Sequence, residues 1–130
     1  RRCLIPSNGY YEWRGAGKTK QACFIHPSKG GLMSFAGLYE EKEGLETFTI
    51  ITCTPNQKLL ELHDRMPVVL GVDDALAWLS EAPSQDLLSL LRPCPDDWLS
   101  YHPVDNRVGR VNEEGSHLIE KVRAQSSLFD

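Results

Sequence analysis

Glu12 stands among aromatic residues in "YYEWR" (10–14), and His63, Asp64 and Arg65 stand together ahead of the apolar run "MPVVL" (66–70). Carboxylates and imidazoles are the side chains that most often move protons in catalysis, and a guanidinium grips phosphate oxygens through paired N–H donors. If "YYEW" is a strand, Tyr10 and Glu12 share one face and Tyr11 and Trp13 the other. Glu12 then has two readings. It lies on a solvated face, or it sits where loss of water favours its protonated form and suits it to acid–base work. His63 is equally divided between a structural side chain and a catalyst. A helix ending near it would favour the imidazolium, because helix C-termini carry partial negative charge, and Asp64 could orient or compensate that ring. Arg65, before the stiff Met66-Pro67 step, suits a phosphate contact.

Other candidates carry less. His26 and His102 each precede a proline and His117 lies in a polar terminal segment, so all three read as structural or solvated. Asp73–Asp74 reads as a helix cap rather than a metal pair. No G-x-S-x-G nucleophile elbow and no glycine-rich phosphate or dinucleotide loop occurs; "GAG" (15–17) falls in a hairpin loop. The four cysteines, Cys3, Cys23, Cys53 and Cys94, contain no C-x-x-C and no zinc spacing, which points to reduced, buried thiols in an intracellular protein. Neither a metal nor a cofactor is expected.

The elements that must hold these residues are strands first and helices later. "RCLI", "YYEW", "ACFI", "LMSFAGLYE" and "TFTIITC" are rich in β-branched and aromatic residues and are separated by turn residues. "TPNQKLLELH" has the signature of a short helix, with Thr54 as cap, Pro55 at the first helical position and Gln57 closing a capping box. "MPVVL" returns to extended structure. "DDALAWL" and "SQDLLSLL" read as helices starting at Asp and Ser caps, "WLSYHPV" as a strand, and "EGSHLIEKVRAQ" as a frayed terminal helix. The expected fold class is α+β: a curved, mainly antiparallel, barrel-like sheet with short peripheral helices.

With 130 residues, the chain has the length of one domain. Its 41% hydrophobic and 25% charged residues are those of an ordinary soluble globular chain without a membrane span. A net charge of -4 argues against a protein that coats duplex DNA, but it permits a local cationic groove.

Four stretches in order, "RRCLIPSNGYYEW", "FAGLYE", "TFTIITCTPN" and "LHDRMPVVL", resemble the SRAP family (SOS response-associated peptidase domain), and "YHPVDNRVGRVN" is similar to its closing segment. Members of that family shield abasic sites in single-stranded DNA. The resemblance implies that Glu12 is the acid–base group near the reacting amine and sugar. It implies that His63 stabilises or protonates the opening sugar ring. Arg65 would be a DNA phosphate contact, Trp13 an aromatic wedge against a neighbouring base, and Thr52 a hydrogen-bonding group near the lesion. Arg1 and Arg2 would extend a basic strand-binding groove.

The family's nucleophile is a cysteine exposed as the N-terminal residue, whose amine and thiol form a thiazolidine with the aldehyde. Arg1 occupies that end here and Cys3 falls within a strand. The expectation is therefore a single SRAP-like domain over 1–130, N-terminally incomplete, with 126–130 as a tail and a monomer favoured. Three functions are compatible with this: an abasic-site crosslinking protein, a non-covalent reader of damaged single strands, and an autoprocessing peptidase acting on its own N-terminus.

Overall fold

The computed structural model describes residues 1–124. The tail at 126–130, and the end of the "EGSHLIEKVRAQ" segment, lie outside the described residues.

Among the described residues, nine strands and one α-helix form the framework. The N-terminal strand β1 (Arg2–Ser7) pairs antiparallel with one edge of the long β4 (Met33–Lys42). The later half of β4 pairs with β5 (Leu45–Ile50), and its Ser34–Phe35 step pairs with the two-residue β8 (Val69–Leu70). A second antiparallel sheet has the order β2-β3-β9, from Tyr10–Arg14, Gln21–Pro27 and Leu99–Pro103. A small third pairing joins β6 (Thr52–Cys53) to β7 (Met66–Pro67). The α+β class and the antiparallel pairing agree with the sequence. The barrel-like closure does not: the strands stay in separate open sheets.

The sheets share one core. Ile25, Val68, Met66 and Leu99 are fully buried, and Tyr10 of β2 meets Phe35 of β4 edge-on at 5.9 Å between ring centres. Residues 51 and 68 stitch the sheets together, because Ile51 N–H donates to Ala36 and Val68 N–H donates to Ile51. The "TFTIITC" and "MPVVL" runs are thus each divided between two sheets, which a continuous apolar pattern does not reveal.

Helix α1 (Val72–Leu79) packs against β1, β4 and β8. It starts after Gly71 without a side-chain cap, and Asp73 and Asp74 lie in its first turn, where they complement the helix dipole. Ala75 and Trp78, three residues apart, are its buried pair. The Trp78 indole N–H reaches the carbonyls of Cys3 (3.0 Å) and Gly37 (3.3 Å). Gly37 is needed for this close layer, since a Cβ there would lie 2.1 Å from Ile5 Cδ1. Two expected helices take other forms: Ser84–Leu90 is a 3-10 helix, and the described part of the terminal one is a 3-10 turn at Ser116–Ile119.

All four cysteines are free thiols, and Cys23, Cys53 and Cys94 are buried. Burial pushes the Cys23 and Cys94 thiols up to about 11, from an ordinary value of 9.0. Between those values the folded chain keeps its thiol protons while the unfolded chain sheds them. The stabilisation is complete below about 9 and is lost as pH rises through about 11. Urea midpoints should therefore fall over this window, and fall less in a Cys23→Ala, Cys94→Ala variant. Equal falls in both proteins would contradict the assignment.

Candidate active site

Alternation along β2 sorts its side chains onto two surfaces. Tyr10 turns into the core, and burial, followed by the Glu12 charge, pushes its hydroxyl well above the ordinary value. Glu12 and Arg14 follow on the same face. Tyr11 packs against Phe24 on the other face, and Trp13 packs there on the cluster of Ala22, Phe24 and Val104. Glu12 pairs in register with Cys23 of β3, whose thiol is 0% exposed and neutral, so no thiol nucleophile lies beside it. One Glu12 oxygen accepts the backbone N–H of Trp13 at 3.2 Å.

The segment from Thr54 to Arg65 brings the second group. It was expected as a helix ending at His63, and the structure corrects this. Residues 57–62 form successive turns, with Leu60 N–H bonded to Asn56 and His63 N–H to Leu59. The buried Asn56 organises them: its Oδ1 accepts Leu59 N–H at 3.0 Å and its Nδ2 donates to the Cys94 carbonyl at 3.0 Å. Cross-links to the rest of the fold, rather than a helical ladder, hold the segment, so the helix-end argument for a charged His63 falls away. Nothing in "TPNQ" by itself singles out Asn56, because its partner at Cys94 lies 38 residues away.

His63 is placed by its own neighbours. Its Nε2 lies 4.0 Å from Glu12 Oε1, and its Nδ1 lies 3.2 Å from Asp64 Oδ1. Arg65 N–H points at Nδ1 from 3.1 Å. When Nδ1 accepts that bond the ring proton lies on Nε2, facing Glu12; when Nδ1 carries the proton, the Asp64 carboxylate and the Arg65 carbonyl, 3.3 Å away, accept it. In the charged ring both nitrogens donate, Nδ1 toward Asp64 and Nε2 toward Glu12. The Glu12 side chain is 25% exposed and that of His63 46% exposed, so water and a substrate can reach the pair.

Arg65 is fixed beside them. Its guanidinium bonds the Thr52 carbonyl at 2.8 Å and the Thr52 hydroxyl at 3.2 and 3.3 Å. Those contacts aim the fork without neutralising it, so the cation keeps its charge for an anion. Thus Glu12, His63, Arg65 and Thr52 are brought to one region by β2, by β6 and by the residues entering β7.

Three other candidates lie apart. Trp13 faces away from Glu12, with Lys20 Nζ 4.6 Å from its ring centre and Gly109 against its edge. Arg1 sits over Tyr39 of β4. For Arg2 the expectation is corrected: its guanidinium is consumed by the carbonyls of Trp78, Ser80 and Ala82 and by the Ser84 hydroxyl, at 2.6 to 2.8 Å. It fastens the end of α1 to β1. A groove of about 700 Å³, lined by Leu4, Met33, Leu70, Ala75, Leu76 and Trp98 among others, contains none of the predicted site residues. Among the described residues, no three His, Cys, Asp or Glu side chains cluster as a metal site would require. No helix among them is long and apolar enough to cross a membrane.

Open antiparallel sheets that bring an accessible carboxylate–imidazole pair beside a fixed guanidinium define an α+β domain. The chain belongs to the SOS response associated peptidase (SRAP) family, whose pattern it matches over residues 1–111. It is 37% identical over 136 residues to "Abasic site processing protein YMR114C" of Saccharomyces cerevisiae, covering 98% of this chain and 37% of that one. It is also 37% identical over 128 residues to "Abasic site processing protein YoqW" of Bacillus subtilis, covering 92% and 57%. A crystal structure of a protein from Bacteroides thetaiotaomicron superposes with a TM-score of 0.82 at 26% identity, covering 94% of this chain and 57% of that one. The chain therefore spans roughly a third to three-fifths of the length of these relatives.

Proposed function

We propose that the protein acts in the DNA damage response, on abasic sites in single-stranded DNA, with Glu12 and His63 as its acid–base pair. The observation that carries this is the approach of Glu12 and His63 to 4.0 Å from positions 51 residues apart. An abasic deoxyribose exposes an aldehyde when its ring opens. The imidazolium form of His63 gives its Nε2 proton to the ring oxygen as the C1′–O bond breaks, while the C1′ hydroxyl gives its proton to Glu12, which passes it to water, as the aldehyde forms. Glu12 removes protons from the attacking amine and returns one to the departing water. Addition of an amine and a thiol to the aldehyde carbon, with loss of one water, closes a thiazolidine. The printed names of the relatives, abasic site processing proteins, support the substrate class.

Under this reading an N-terminal cysteine supplies both the amine and the thiol. Arg65, steadied by Thr52, contacts a phosphate of the single strand, which lets an acidic chain hold DNA through a local cation. Trp13 and Arg1 take part only along a strand path that extends beyond the pair. Free thiols and a DNA substrate support an intracellular protein, and a monomer suffices for this chemistry.

The test uses the intact protein and a single strand with one abasic site, resolved under denaturing conditions. A slow-migrating covalent species is expected, and its absence with an active, folded protein rejects the assignment. A non-covalent reader of damaged strands is favoured instead if Arg65-dependent, salt-sensitive binding persists without that species.

A further inference from the structure

Beside the Glu12–His63 pair lies a second set of charges that the proposed chemistry does not use. Glu61, two residues before His63, accepts a hydrogen bond from the Tyr101 hydroxyl through Oε1. Its other oxygen, Oε2, lies 3.6 Å from the Arg14 guanidinium. Arg14 is two residues after Glu12 on the same face of β2, and Tyr101 sits on β9, across β3 from it. One carboxylate from the turn segment thus ties together the two outer strands of the β2-β3-β9 sheet. The charges of Arg14 and Glu61 both act on the buried Cys23 thiol between those strands, lowering and raising its pKa respectively.

We propose that Glu61 is a positioning residue: with Tyr101 and Arg14 it clamps the Leu59–Arg65 segment onto the sheet and so sets the distance between His63 and Glu12. This rests on the acid–base role assigned to that pair. The turn segment has no continuous helical ladder to stiffen it. Asn56 secures its beginning. Between Asn56 and the Arg65–Thr52 contacts, the buried Leu59 and Leu62 pack into the core, and Glu61 adds the polar tie to the sheet that carries Glu12. His63 itself is half exposed and receives no tertiary hydrogen bond, its bonds being to Arg65 of its own segment. Its placement therefore depends on where the segment is held. Displacement of a catalytic group by about 1 Å costs on the order of 100-fold in rate.

The experiment compares Glu61→Ala, Glu61→Gln and Tyr101→Phe in the intact protein. Three quantities are read: the rate of adduct formation, the affinity for an unmodified single strand, and amide exchange at Leu62–Arg65. Glu61→Ala should slow adduct formation on the order of tenfold or more at unchanged affinity, with faster exchange at those amides. Glu61→Gln keeps an acceptor for Tyr101 and should recover most of the rate. Tyr101→Phe should resemble the Ala variant in a weaker form. A wild-type rate in Glu61→Ala, a loss of affinity matching the loss of rate, or no recovery in Glu61→Gln overturns the proposal. If the unsubstituted protein forms no adduct, the acid–base reading fails by itself. The exchange measurement then still decides the clamp: unchanged protection in Glu61→Ala refutes it, and faster exchange supports it.

Discussion

Glu12→Gln should slow crosslinking of the intact protein to an abasic single strand by about 100-fold, with a smaller loss in strand binding. Gln keeps the size of the side chain and an oxygen to accept the Trp13 N–H, so the strand is not disturbed. It cannot take up a proton at neutral pH, so the transfers assigned to the carboxylate must pass through water. His63→Ala should impair formation or reversal of the adduct by about tenfold or more, because it removes the Nε2 proton beside the leaving oxygen. Time courses under denaturing conditions give these rates. Wild-type kinetics in both single variants would remove the pair from the chemistry and leave only a surface contact.

The second large effect concerns the fold. Trp78→Ala should lower stability by about 3–5 kcal/mol. The indole is buried at 4% exposure, it donates to two carbonyls of the β1–β4 layer, and the Arg2 guanidinium lies over it at 5.7 Å. Truncation leaves a cavity under α1, removes both hydrogen bonds and takes away the surface on which Arg2 rests. Trp78→Phe keeps much of the volume and should cost about 1–3 kcal/mol, the range for buried acceptors that lose a donor. Urea unfolding of residues 1–130 measures both. A Trp78→Ala loss below about 1 kcal/mol would show that α1 is not fastened through this residue.

Arg2 illustrates how a correct residue type can be assigned to the wrong task. A cation near the start of the chain looks available for DNA when only its sequence neighbours are known. In three dimensions the end of α1 and the 80–84 loop lie beside β1 and take four hydrogen bonds from the Arg2 guanidinium. Trp13 teaches the opposite lesson. Alternation alone already put it on the other face of β2 from Glu12, and the coordinates keep it there. The family resemblance supplied a role for it, while the strand period fixed only its direction.

Local chemistry is what the sequence determined by itself. β-branched and aromatic runs between turn residues mark β1 to β5 and ordered motifs mark the family, whereas the expected Asp cap of α1 gives way to Gly71, with both aspartates inside the first turn. Period two along "YYEW" separates Tyr10 and Glu12 from Tyr11 and Trp13, because successive side chains of a strand point to opposite faces. Tertiary structure decided the rest. It turned the 54–63 helix pattern into turns, since Asn56 finds partners 38 residues away that a helix would not meet. It split "TFTIITC" and "MPVVL" between sheets, left the sheets open, and brought Glu61 to Tyr101 and His63 to Glu12. These outcomes depend on contacts between distant segments, whose energies no short window of sequence contains.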